Sequence, residues 1–563
     1  MDKKVTRVRF APSPTGPLHM GGVRTALYNY LYAKQQGGVF VLRIEDTDSQ
    51  RFVPGAEKYI IDSLKWCNIL PTEGVDKQGN IVETPSPDHP FAPYRQSQRK
   101  AIYRKYAEQL VSNGNAYYAF DTPEELDAKR KEAEENHSTF IYNYQSRNQL
   151  KNSLTMPAEE VDHILKTTNH WTIRFKTPEG ETVAMDDLIR GHIEVETNTL
   201  DDKVLWKAID ELPTYHLANI VDDHLMEITE VIRGAEWLPS LPLHYLLYKA
   251  FGWQESQPRF AHLSLLLKPD GKGKLSKRDG DRLGFPVFPL KWISPEGEVS
   301  RGYREDGYYP DAFVNMLALL GWNPGTEQEI FNLEELANAF SFDRVIKSGA
   351  RFNPEKAKWF NEQYLRMKSP GRLAAEFLPV LQKNVAEAMA SSGVSCNCGT
   401  TKSDATSDIK YITQICGLIK ERAHFVNDFW DIGKYIFMAP DSYDPQDVAK
   451  FCKPEIKPAM EKMLEHIKSS QFEDYPSGGK KASEADGEGT EKLDAYKTQC
   501  CNHIEEILTS FINENGWKMG SIMNTMRLFF TGTTRGLGIA DLIYFIGKQE
   551  AVRRMENGIT KTF

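Results

Sequence analysis

The sequence predicts an α/β protein with a parallel sheet in its N-terminal half and a helical C-terminal half. Two observations predict the sheet. An alternating segment at 5–11 and a short apolar run at 39–44 have strand patterns, and a helical pattern at 20–36 lies between them. Strand, helix and strand in this order form a βαβ unit, whose strands are parallel. The third observation is helical periodicity that continues almost without interruption beyond about residue 310.

The first helix is the most strongly patterned of these elements. Gly37-Gly38 ends it, because glycine terminates helices readily. The strand at 39–44 is almost entirely apolar, with β-branched and aromatic residues, which is typical of a strand buried on both faces. The apolar side of the helix consists of Val23, Ala26, Leu27, Tyr30 and Leu31.

The pattern changes between 101 and 214, where we expect a separate α+β unit inserted into the sheet domain. The sheet pattern returns at 215–267. The predicted elements of the insertion are a helix at 101–113, an extended segment at 117–120, a charged helix at 122–135 and a strand at 171–176. The complete expected division of the chain is 1–100, 101–214, 215–283, 284–365 and 366–563.

Three segments interrupt the regular patterns. Residues 285–309 are rich in proline and glycine, so we expect a surface insertion there. Residues 391–408 are rich in Ser, Gly, Thr and Asp, and 476–490 contains no large apolar residue. Both compositions are typical of mobile loops.

Composition bounds the class of protein. The chain has 563 residues, enough for three to five domains, with 40% hydrophobic and 26% charged residues and a net charge of −9. The acidic balance neither supports nor excludes RNA binding, because phosphate contacts depend on local patches. No run of about 18 apolar residues and no signal peptide is apparent, so we expect no membrane partner.

The seven cysteines have irregular spacing, which favours reduced thiols in a cytoplasmic protein. We expect this protein to be a monomer. Cys396 and Cys398 are close enough in sequence to hold a metal, but no second Cys or His pair lies at zinc-site spacing. A metal at this place is therefore the less favoured interpretation.

The segment His19-Met20-Gly21-Gly22 lies between the first strand and the first helix, where ligands of parallel sheets bind. Glycine lets a flat base and ribose approach the backbone, and a helix start attracts anions. His19 can donate to a phosphate oxygen. The alternative is that the glycines only permit close packing and His19 caps the turn; the segment alone supports both interpretations equally.

The segment Lys274-Leu275-Ser276-Lys277-Arg278 follows a flexible basic loop at 269–273. Clustered cations suit a triphosphate, whose charge must be neutralised when a phosphate is attacked. The alternative is a solvated charge run. Together, however, the two segments would face one pocket from two sides of the same sheet.

These two segments resemble the HIGH and KMSKS signatures of class I aminoacyl-tRNA synthetases. Met20, Gly22, Leu275 and Arg278 stand where the signatures have Ile, His, Met and Ser, and glutamate-type members usually carry glycine at the position of Gly22. Four further segments resemble bacterial glutamyl-tRNA synthetases. They are Phe10 to Gly16, Arg43 to Asp48, Pro213 to His224 and Val231 to Trp237.

The resemblance implies a Rossmann-type catalytic domain, an inserted domain that binds the acceptor end of tRNA, and an all-α anticodon-binding region. It also implies ATP-dependent activation of L-glutamate to glutamyl-adenylate and transfer to the 3′-terminal adenosine of tRNA(Glu). Mg²⁺ would arrive with ATP, and His19, Lys274 and Lys277 would be catalytic through charge stabilisation at the phosphate. The implied ATP-binding residues are His19, Gly21, Gly22, Glu236, Leu265, Leu266, Lys274, Ser276 and Lys277.

Glutamate brings two carboxylates and one ammonium, so its pocket needs cations and a carboxylate. We expect Arg233 to form a bidentate contact with the side-chain carboxylate of glutamate, Arg9 to assist, and Glu45 to bind the ammonium. The alternative is that Arg9 is a solvated strand-edge charge and that Arg233 pairs with Glu230 or Glu236. The glutamate-binding residues implied by the resemblance are Arg9, Ala11, Ser13, Glu45, Tyr215, Asn219 and Arg233.

For the anticodon, Arg527 resembles a family arginine and Arg422 is a second candidate, since arginine can bond or stack on loop bases. The alternative is an arginine that extends along a helix end. Some relatives carry a Cys/His zinc site in the inserted domain. The matching segments 117–121 and 144–148 contain no Cys or His, so we expect no zinc.

Two further alternatives concern substrate and activity. A glutaminyl enzyme is disfavoured by Ile44-Glu45-Asp46-Thr47-Asp48, where that group reads Phe-Asp-Asp-Thr-Asn, and by the helical C-terminal region. A non-catalytic tRNA-binding paralogue is disfavoured because the candidate catalytic residues are all present. Whether tRNA(Gln) is also charged stays open at this stage.

Overall fold

The structure is a computed structural model that describes residues 5–48, 51–392, 408–475 and 489–563. Most of the two predicted mobile loops, and with them Cys396 and Cys398, lies outside the described residues. The chain forms two compact units, residues 1–360 and residues 361–563. No helix of the described ranges is both long enough and apolar enough to span a membrane.

The first unit contains all the strands of the described residues. In chain order they are β1 (Arg7–Phe10), β2 (Val39–Leu42), β3 (Ala116–Ala119), β4 (Thr172–Phe175), β5 (Thr182–Asp187), β6 (Gly191–Glu196), β7 (Val204–Lys207), β8 (Leu212–Pro213), β9 (Glu230–Gly234), β10 (Arg259–Leu263), β11 (Leu266–Leu267), β12 (Trp292–Ile293), β13 (Val299–Ser300) and β14 (Ala350–Arg351).

The helices follow in the same order. Those that begin in the first unit are α1 (Met20–Gln36), α2 (Ala56–Trp66), α3 (Lys100–Ser112), α4 (Pro123–Glu135), α5 (Ala158–Thr167), α6 (Tyr215–Leu225), α7 (Leu241–Phe251), α8 (Lys277–Leu283), α9 (Pro310–Leu319), α10 (Leu333–Ala339) and α11 (Pro354–Met367). The others are α12 (Pro370–Ser392), α13 (Ile409–Ile419), α14 (Asp428–Phe437), α15 (Pro445–Phe451), α16 (Lys457–Ser469), α17 (Gly489–Glu514), α18 (Met519–Thr531), α19 (Ile539–Ile546) and α20 (Lys548–Thr562).

The main sheet has the order β2-β1-β9-β10-β5-β6, and every neighbouring pair except β5–β6 is parallel. The βαβ unit is confirmed: β1 and β2 flank α1 and pair in parallel. The helix begins and ends where its caps predict. The His19 side chain accepts a hydrogen bond from a first-turn N–H, and Gly37 adopts the left-handed conformation (φ 61°) that ends many helices.

A second sheet, β3-β4-β7-β8, is antiparallel throughout and lies within the predicted insertion. Its first strand packs with the charged helix α4 around a small apolar cluster formed by Tyr117, Ala119, Leu126, Tyr142 and Leu150. The β5–β6 hairpin belongs to the same stretch of sequence but pairs with β10 of the main sheet. The inserted stretch and the sheet therefore share elements.

The Pro/Gly-rich segment 285–309 is only partly a surface feature. Phe285, Val287, Phe288 and Leu290 are buried, and the Val287 carbonyl accepts a hydrogen bond from the N–H of Met20. The prediction of a surface insertion is therefore wrong for this first part, where apolar side chains between prolines pack beside the start of α1. It holds for the short β12–β13 hairpin, whose Ile293 and Val299 are exposed.

In the described residues of the second unit, helices are the only regular elements, and short loops connect them. Its core contains side chains from several helices that are largely inaccessible to solvent, among them Leu373, Phe377, Ile412, Ile415, Met460, Phe529, Ile543 and Met555. The prediction of an all-α C-terminal region is confirmed.

Candidate active site

A cavity of about 230 Å³ opens at the carboxyl ends of β1 and β9, beside the start of α1. This is where parallel sheets place their ligands. All seven residues expected to bind the amino acid line it, and so do Gly22 and Glu236 from the expected nucleotide set. Trp237, which sequence reasoning did not single out, also lines the cavity and stacks on Tyr215 with ring centroids 4.1 Å apart.

Arg9 is not a solvated strand-edge charge. It is 3% exposed, and its Nε and Nη2 donate to the two carboxylate oxygens of Asp223 at 3.0 and 3.2 Å. Nη2 also lies 3.4 Å from the Asn219 side-chain oxygen. Arg9 therefore reaches the cavity with its charge already neutralised by a buried partner, so it can orient a ligand but supplies little free charge.

Glu45 accepts a hydrogen bond at 3.0 Å from the fully buried Arg43, which also donates to Asp223 at 2.7 Å. Burial raises the pKa of Glu45 above its ordinary value, although Arg43 and Arg9 oppose the rise. The pKa of Asp223 is lowered, because Arg9 and Arg43 outweigh its burial. An ammonium ion at Glu45 would therefore favour the charged form of a carboxyl that burial disfavours.

Arg233 has different partners from those that sequence reasoning considered. Its Nε donates to His262 Nε2 at 2.9 Å, and its Nη1 lies 3.0 Å from the Tyr215 hydroxyl and 3.2 Å from His244 Nδ1. Glu230 pairs with Arg259 instead, at 2.5 Å. The alternative pairing of Arg233 with Glu230 is therefore wrong, and among the described residues no carboxylate forms an ion pair with Arg233.

His19 both caps the helix and offers a donor. Its Nδ1 accepts from the Gly21 N–H at 3.1 Å, so in the neutral ring the proton is on Nε2. Nε2 is buried and has no hydrogen-bond partner in the described part of the chain. Burial, followed by the charge of Lys274, lowers the pKa of His19 to about 4. The ring is therefore neutral at physiological pH, with one N–H to donate.

The two glycines of this segment differ in what surrounds them. A β-carbon on Gly22 would come within 2.5 Å of the Leu18 side chain, so Gly22 is required for close packing. A β-carbon on Gly21 would only make ordinary contacts, at 3.6 Å with His19 and 3.7 Å with Leu266. Packing within the described chain therefore accounts for a glycine at 22 but not for a glycine at 21.

The basic segment begins beside this helix start. The backbone of Lys274 forms an antiparallel β-bridge with Leu267 of β11, and the N–H of Leu275 donates to the Leu266 carbonyl. The strand β11 therefore positions the basic segment. The carbonyl of Leu265, the residue before β11, accepts a hydrogen bond from the Ala350 N–H at the start of β14. Lys274 lies near enough to His19 for its charge to add to the effect of burial on the pKa of that ring.

The second half of the basic segment begins α8. Ser276 caps this helix together with Asp279, and the Ser276 hydroxyl lies 2.5 Å from the carboxylate. Lys277 contacts Glu298 of the β12–β13 turn at 3.4 Å, and both side chains are substantially exposed. Lys277 therefore lies in a solvated position, as the charge-run alternative predicts, and its amine is free to change partner at little energetic cost.

The two candidate anticodon arginines lie around one loop of the second unit. Arg527 Nε donates to the Leu537 carbonyl at 3.2 Å, and Arg422 Nη1 donates to the Gly536 carbonyl at 2.8 Å. Burial, followed by the charge of Arg422, lowers the pKa of Arg527. Cavities of about 360 and 380 Å³ adjoin this loop, the first lined by Arg422 and Arg535 and the second by Arg527.

Within the described residues no three His, Cys, Asp or Glu side chains are grouped so that they could hold a metal ion. Several buried carboxylates of the first unit are bonded to arginines instead. Asp222, for example, accepts from Arg99, Gln96 and Tyr103 at 2.7 to 2.9 Å.

Comparison with known proteins gives matches along the whole chain. The family model described as tRNA synthetases class I (E and Q), catalytic domain, matches residues 5–359. An anticodon binding domain model matches residues 372–476 and 487–559.

Two curated relatives and one solved structure illustrate the similarity. The glutamate–tRNA ligase of Christiangramia forsetii is 50% identical, with 99% of each chain covered. That of Flavobacterium johnsoniae is also 50% identical, with 100% of each chain covered. A crystal structure of a glutamate tRNA ligase from Elizabethkingia meningosepticum, in complex with its amino acid, superimposes with a TM-score of 0.85 at 46% identity over 100% of both chains.

Proposed function

The chain belongs to the class I tRNA synthetases for glutamate and glutamine, and from this premise we propose that it is a glutamate–tRNA ligase. It is an enzyme that uses ATP to form an aminoacyl-tRNA. The observation that carries the choice of glutamate is the chemistry of the cavity. Arg233 brings a positive charge without a carboxylate partner among the described residues, and Glu45 is a buried carboxyl whose pKa stays raised beside Arg43, so a second cation would favour its charged form. An acidic amino acid supplies both.

The side-chain carboxylate of glutamate would bind Arg233, and its ammonium would bind Glu45. Arg9 and Asn219, which contact each other, would orient the substrate, together with Tyr215 and the backbone at Ala11 and Ser13. These roles agree with the charges of the site. The cavity-lining cation that has no carboxylate partner among the described residues meets the anion, and the carboxyl whose pKa is raised by burial meets the ammonium.

ATP would bind along the start of α1, with its adenosine near Gly21, Leu265, Leu266 and Glu236. The α-carboxylate of glutamate attacks the α-phosphorus. A carboxylate-oxygen–phosphorus bond forms, and the bond to the pyrophosphate oxygen breaks. No protein nucleophile is required. The neutral His19 would donate its Nε2–H to a phosphate oxygen, and Lys274 and Lys277 would stabilise the charge on the pentavalent phosphate. Ser276 would contribute to ATP binding. Mg²⁺ would enter bound to ATP.

In the second step a ribose hydroxyl of the 3′-terminal adenosine of tRNA(Glu) attacks the carbonyl carbon of the adenylate, and AMP leaves. The inserted stretch 101–214 would bind the acceptor end, 284–365 would contact the stem, and the helical region 366–563 would read the anticodon through Arg527 and Arg422. The exposed loop that both arginines contact supports this role. We also propose that the enzyme works as a monomer in the cytoplasm, where its tRNA substrate is found.

The test is pyrophosphate exchange into ATP by the full chain with tRNA present, in parallel reactions with glutamate, glutamine and aspartate. Glutamate should support the exchange, and the other two should support it at a small fraction of that rate. Exchange with glutamine but not with glutamate would contradict the proposal. Charging of purified tRNA(Glu) and tRNA(Gln) then defines the tRNA substrates.

A further inference from the structure

Arg233 differs in its bonding from four other buried arginines of the first unit. Arg7, Arg9, Arg43 and Arg99 each donate to a carboxylate at 2.7 to 3.0 Å. Arg233 is equally buried, yet its contacts within the described chain are two imidazoles, the Tyr215 hydroxyl and, at 3.5 Å, the Trp237 carbonyl. A guanidinium without a carboxylate at contact retains its full attraction for an incoming anion, but it needs another means of fixing its orientation.

His262 supplies this orientation through its tautomer. The Nε of Arg233 can only donate, so His262 Nε2 must accept, and the ring proton must be on Nδ1. Nδ1 lies 2.6 Å from Oδ2 of Asp187, which accepts that proton's hydrogen bond. The tautomer follows from this argument about donors and acceptors. Burial lowers the pKa of His262 despite the hydrogen bond to Asp187, which agrees with a neutral ring.

Asp187 is itself immobilised by the backbone. Its Oδ1 accepts from the N–H groups of Ile189 at 2.9 Å, Arg190 at 2.8 Å and His262 at 3.3 Å. Burial would raise the pKa of Asp187, but the hydrogen bonds from His262 and from the backbone hold the pKa below its ordinary value. The carboxylate is therefore charged and fixed, and both oxygens accept.

Sheet register places the three side chains in a row. Arg233 is on β9 opposite His262 on β10, and Asp187 at the end of β5 pairs with Phe260 of β10. All three residues are at most 5% exposed. Asp187 thus acts on the guanidinium through one neutral ring, which orients Arg233 without neutralising it by contact.

We propose that Asp187 and His262 are positioning residues for amino-acid recognition, which fix Arg233 in the orientation that selects a side-chain carboxylate over a carboxamide. The inference rests on the proposed function, because it assigns Arg233 to the substrate. Nη2 of Arg233 has two hydrogens and only the long contact to Trp237, so it retains donors for the substrate.

The decisive variant is Asp187→Asn. The amide keeps the shape of the carboxylate and one oxygen for the backbone N–H groups, but it turns an NH₂ toward His262 Nδ1. Nδ1 must then accept, the proton moves to Nε2, and Nε2–H faces Arg233 Nε–H. A comparable exchange in the serine protease triad leaves the geometry intact and produces the wrong tautomer. We expect the KM for glutamate to rise roughly 10- to 100-fold, the scale of one hydrogen bond to a charged group.

The same variant should leave the KM for ATP unchanged and kcat within about threefold, because the lost interaction is made equally in the ground state and the transition state. The ratio of kcat/KM for glutamate to that for glutamine should fall about tenfold. A merely structural role for Asp187 would lower stability but would not change this ratio.

Asp186→Asn is the matched control. Asp186 is the neighbouring residue, its side chain is exposed, and it contacts a histidine, His192, at 2.9 Å. The chemical change is the same, but among the described residues the side-chain hydrogen bonds of Asp186 do not lead to Arg233, so both KM values and the selectivity ratio should equal those of the unaltered protein. If Asp187→Asn behaves like Asp186→Asn while remaining folded, the inference is overturned.

A second pair of variants covers the case in which Asp187→Asn fails to fold, which thermal unfolding and ATP binding would reveal. His262→Gln retains an acceptor for Arg233 Nε, and His262→Leu does not. The glutamate KM should rise more in His262→Leu than in His262→Gln, and equal values would overturn the inference. If the unaltered full chain does not activate glutamate at all, the proposed function fails instead, so the two failures are distinguishable.

Discussion

The two ends of the candidate active site are built on different physical principles. At the amino-acid end, Arg9, Glu45 and Arg233 are all at most 6% exposed and are held by buried partners. At the nucleotide end, Lys274 and Ser276 are exposed, and the Lys277 amine has only a solvated carboxylate at 3.4 Å. The charged side chains of the amino-acid end are held by partners within the chain before any ligand binds. The lysine amines of the nucleotide end are free to change their contacts.

The difference corresponds to two chemical tasks. Distinguishing glutamate from its amide depends on a few polar atoms in fixed positions, because a misplaced donor costs selectivity. Neutralising a triphosphate requires positive charge that follows the phosphate as bonds form and break. Buried groups cost several-fold more to disturb than exposed ones. Substitutions at the amino-acid end should therefore act on substrate binding, and those at the nucleotide end should act on rate.

The largest effect is expected for Arg233→Gln. The substitution removes a buried cation that lines the cavity and has no carboxylate partner among the described residues, and the substrate carboxylate would then be buried without a counter-charge. Loss of one partner of a buried charge pair costs about 2–5 kcal/mol, so kcat/KM for glutamate should fall by roughly 10²–10³. Steady-state exchange assays measure this. The affinity for ATP, measured by equilibrium binding, should not change; a collapse of ATP affinity would show that the pocket is wrongly assigned.

Lys277→Ala tests the nucleotide end. We expect the rate of glutamate activation to fall by roughly 10²–10³, the scale of losing one transition-state donor, with little change in the glutamate KM. Single-turnover measurement of adenylate formation gives the rate directly. Arg282→Ala, on the same short helix and exposed, is the control and should retain the normal rate. A normal rate in Lys277→Ala, with normal thermal unfolding, would remove Lys277 from the proposed mechanism.

Features that depend on residues close together in the sequence could be predicted, whereas features that depend on distant residues could not. The bounds of α1 depend on His19 and Gly37, which are adjacent to the helix in sequence, and the expected and observed bounds agree. The seven residues expected at the amino acid all line one cavity; six of them lie in the quoted motif segments, and Arg9 immediately precedes the first segment. The prediction of a surface insertion was wrong for the first part of 285–309. Closely spaced prolines are typical of a loop, so the apolar residues between them were not recognised as buried.

The partners that fix Arg233 were not predictable in this way. Asp187 lies 75 residues before His262 in the chain, and they meet only because β5 joins the main sheet beside β10. Neither residue belongs to a motif, and a lone histidine in a strand is most often an ordinary core residue. Asp223 was in a quoted segment, yet its bond to Arg9 depends on α6 packing near β1. Register between distant strands is a tertiary property.

A moderate effect is expected from pH at the amino-acid end. Burial raises the pKa of Glu45, so as the pH falls through that raised value Glu45 gains a proton and loses the charge that holds the ammonium. kcat/KM for glutamate should therefore fall about tenfold per pH unit on the acid side, starting above the usual range for a glutamate side chain. Glu45→Gln, which cannot titrate, should have low kcat/KM without this acid limb. An unchanged limb in that variant would assign the titration to another group.

The smallest effect is expected for Glu298→Gln, which removes the only carboxylate that forms an ion pair with Lys277 among the described residues. Both side chains are substantially exposed, and exposed pairs contribute about 0–1 kcal/mol. If the nucleotide end is free to change its contacts, losing this one should alter the rate of adenylate formation by less than about fivefold and leave the glutamate KM constant. The same single-turnover assay decides the matter. A loss as large as that of Lys277→Ala would mean that Glu298 holds Lys277 in its working position, and the nucleotide end would then be as preorganised as the amino-acid end.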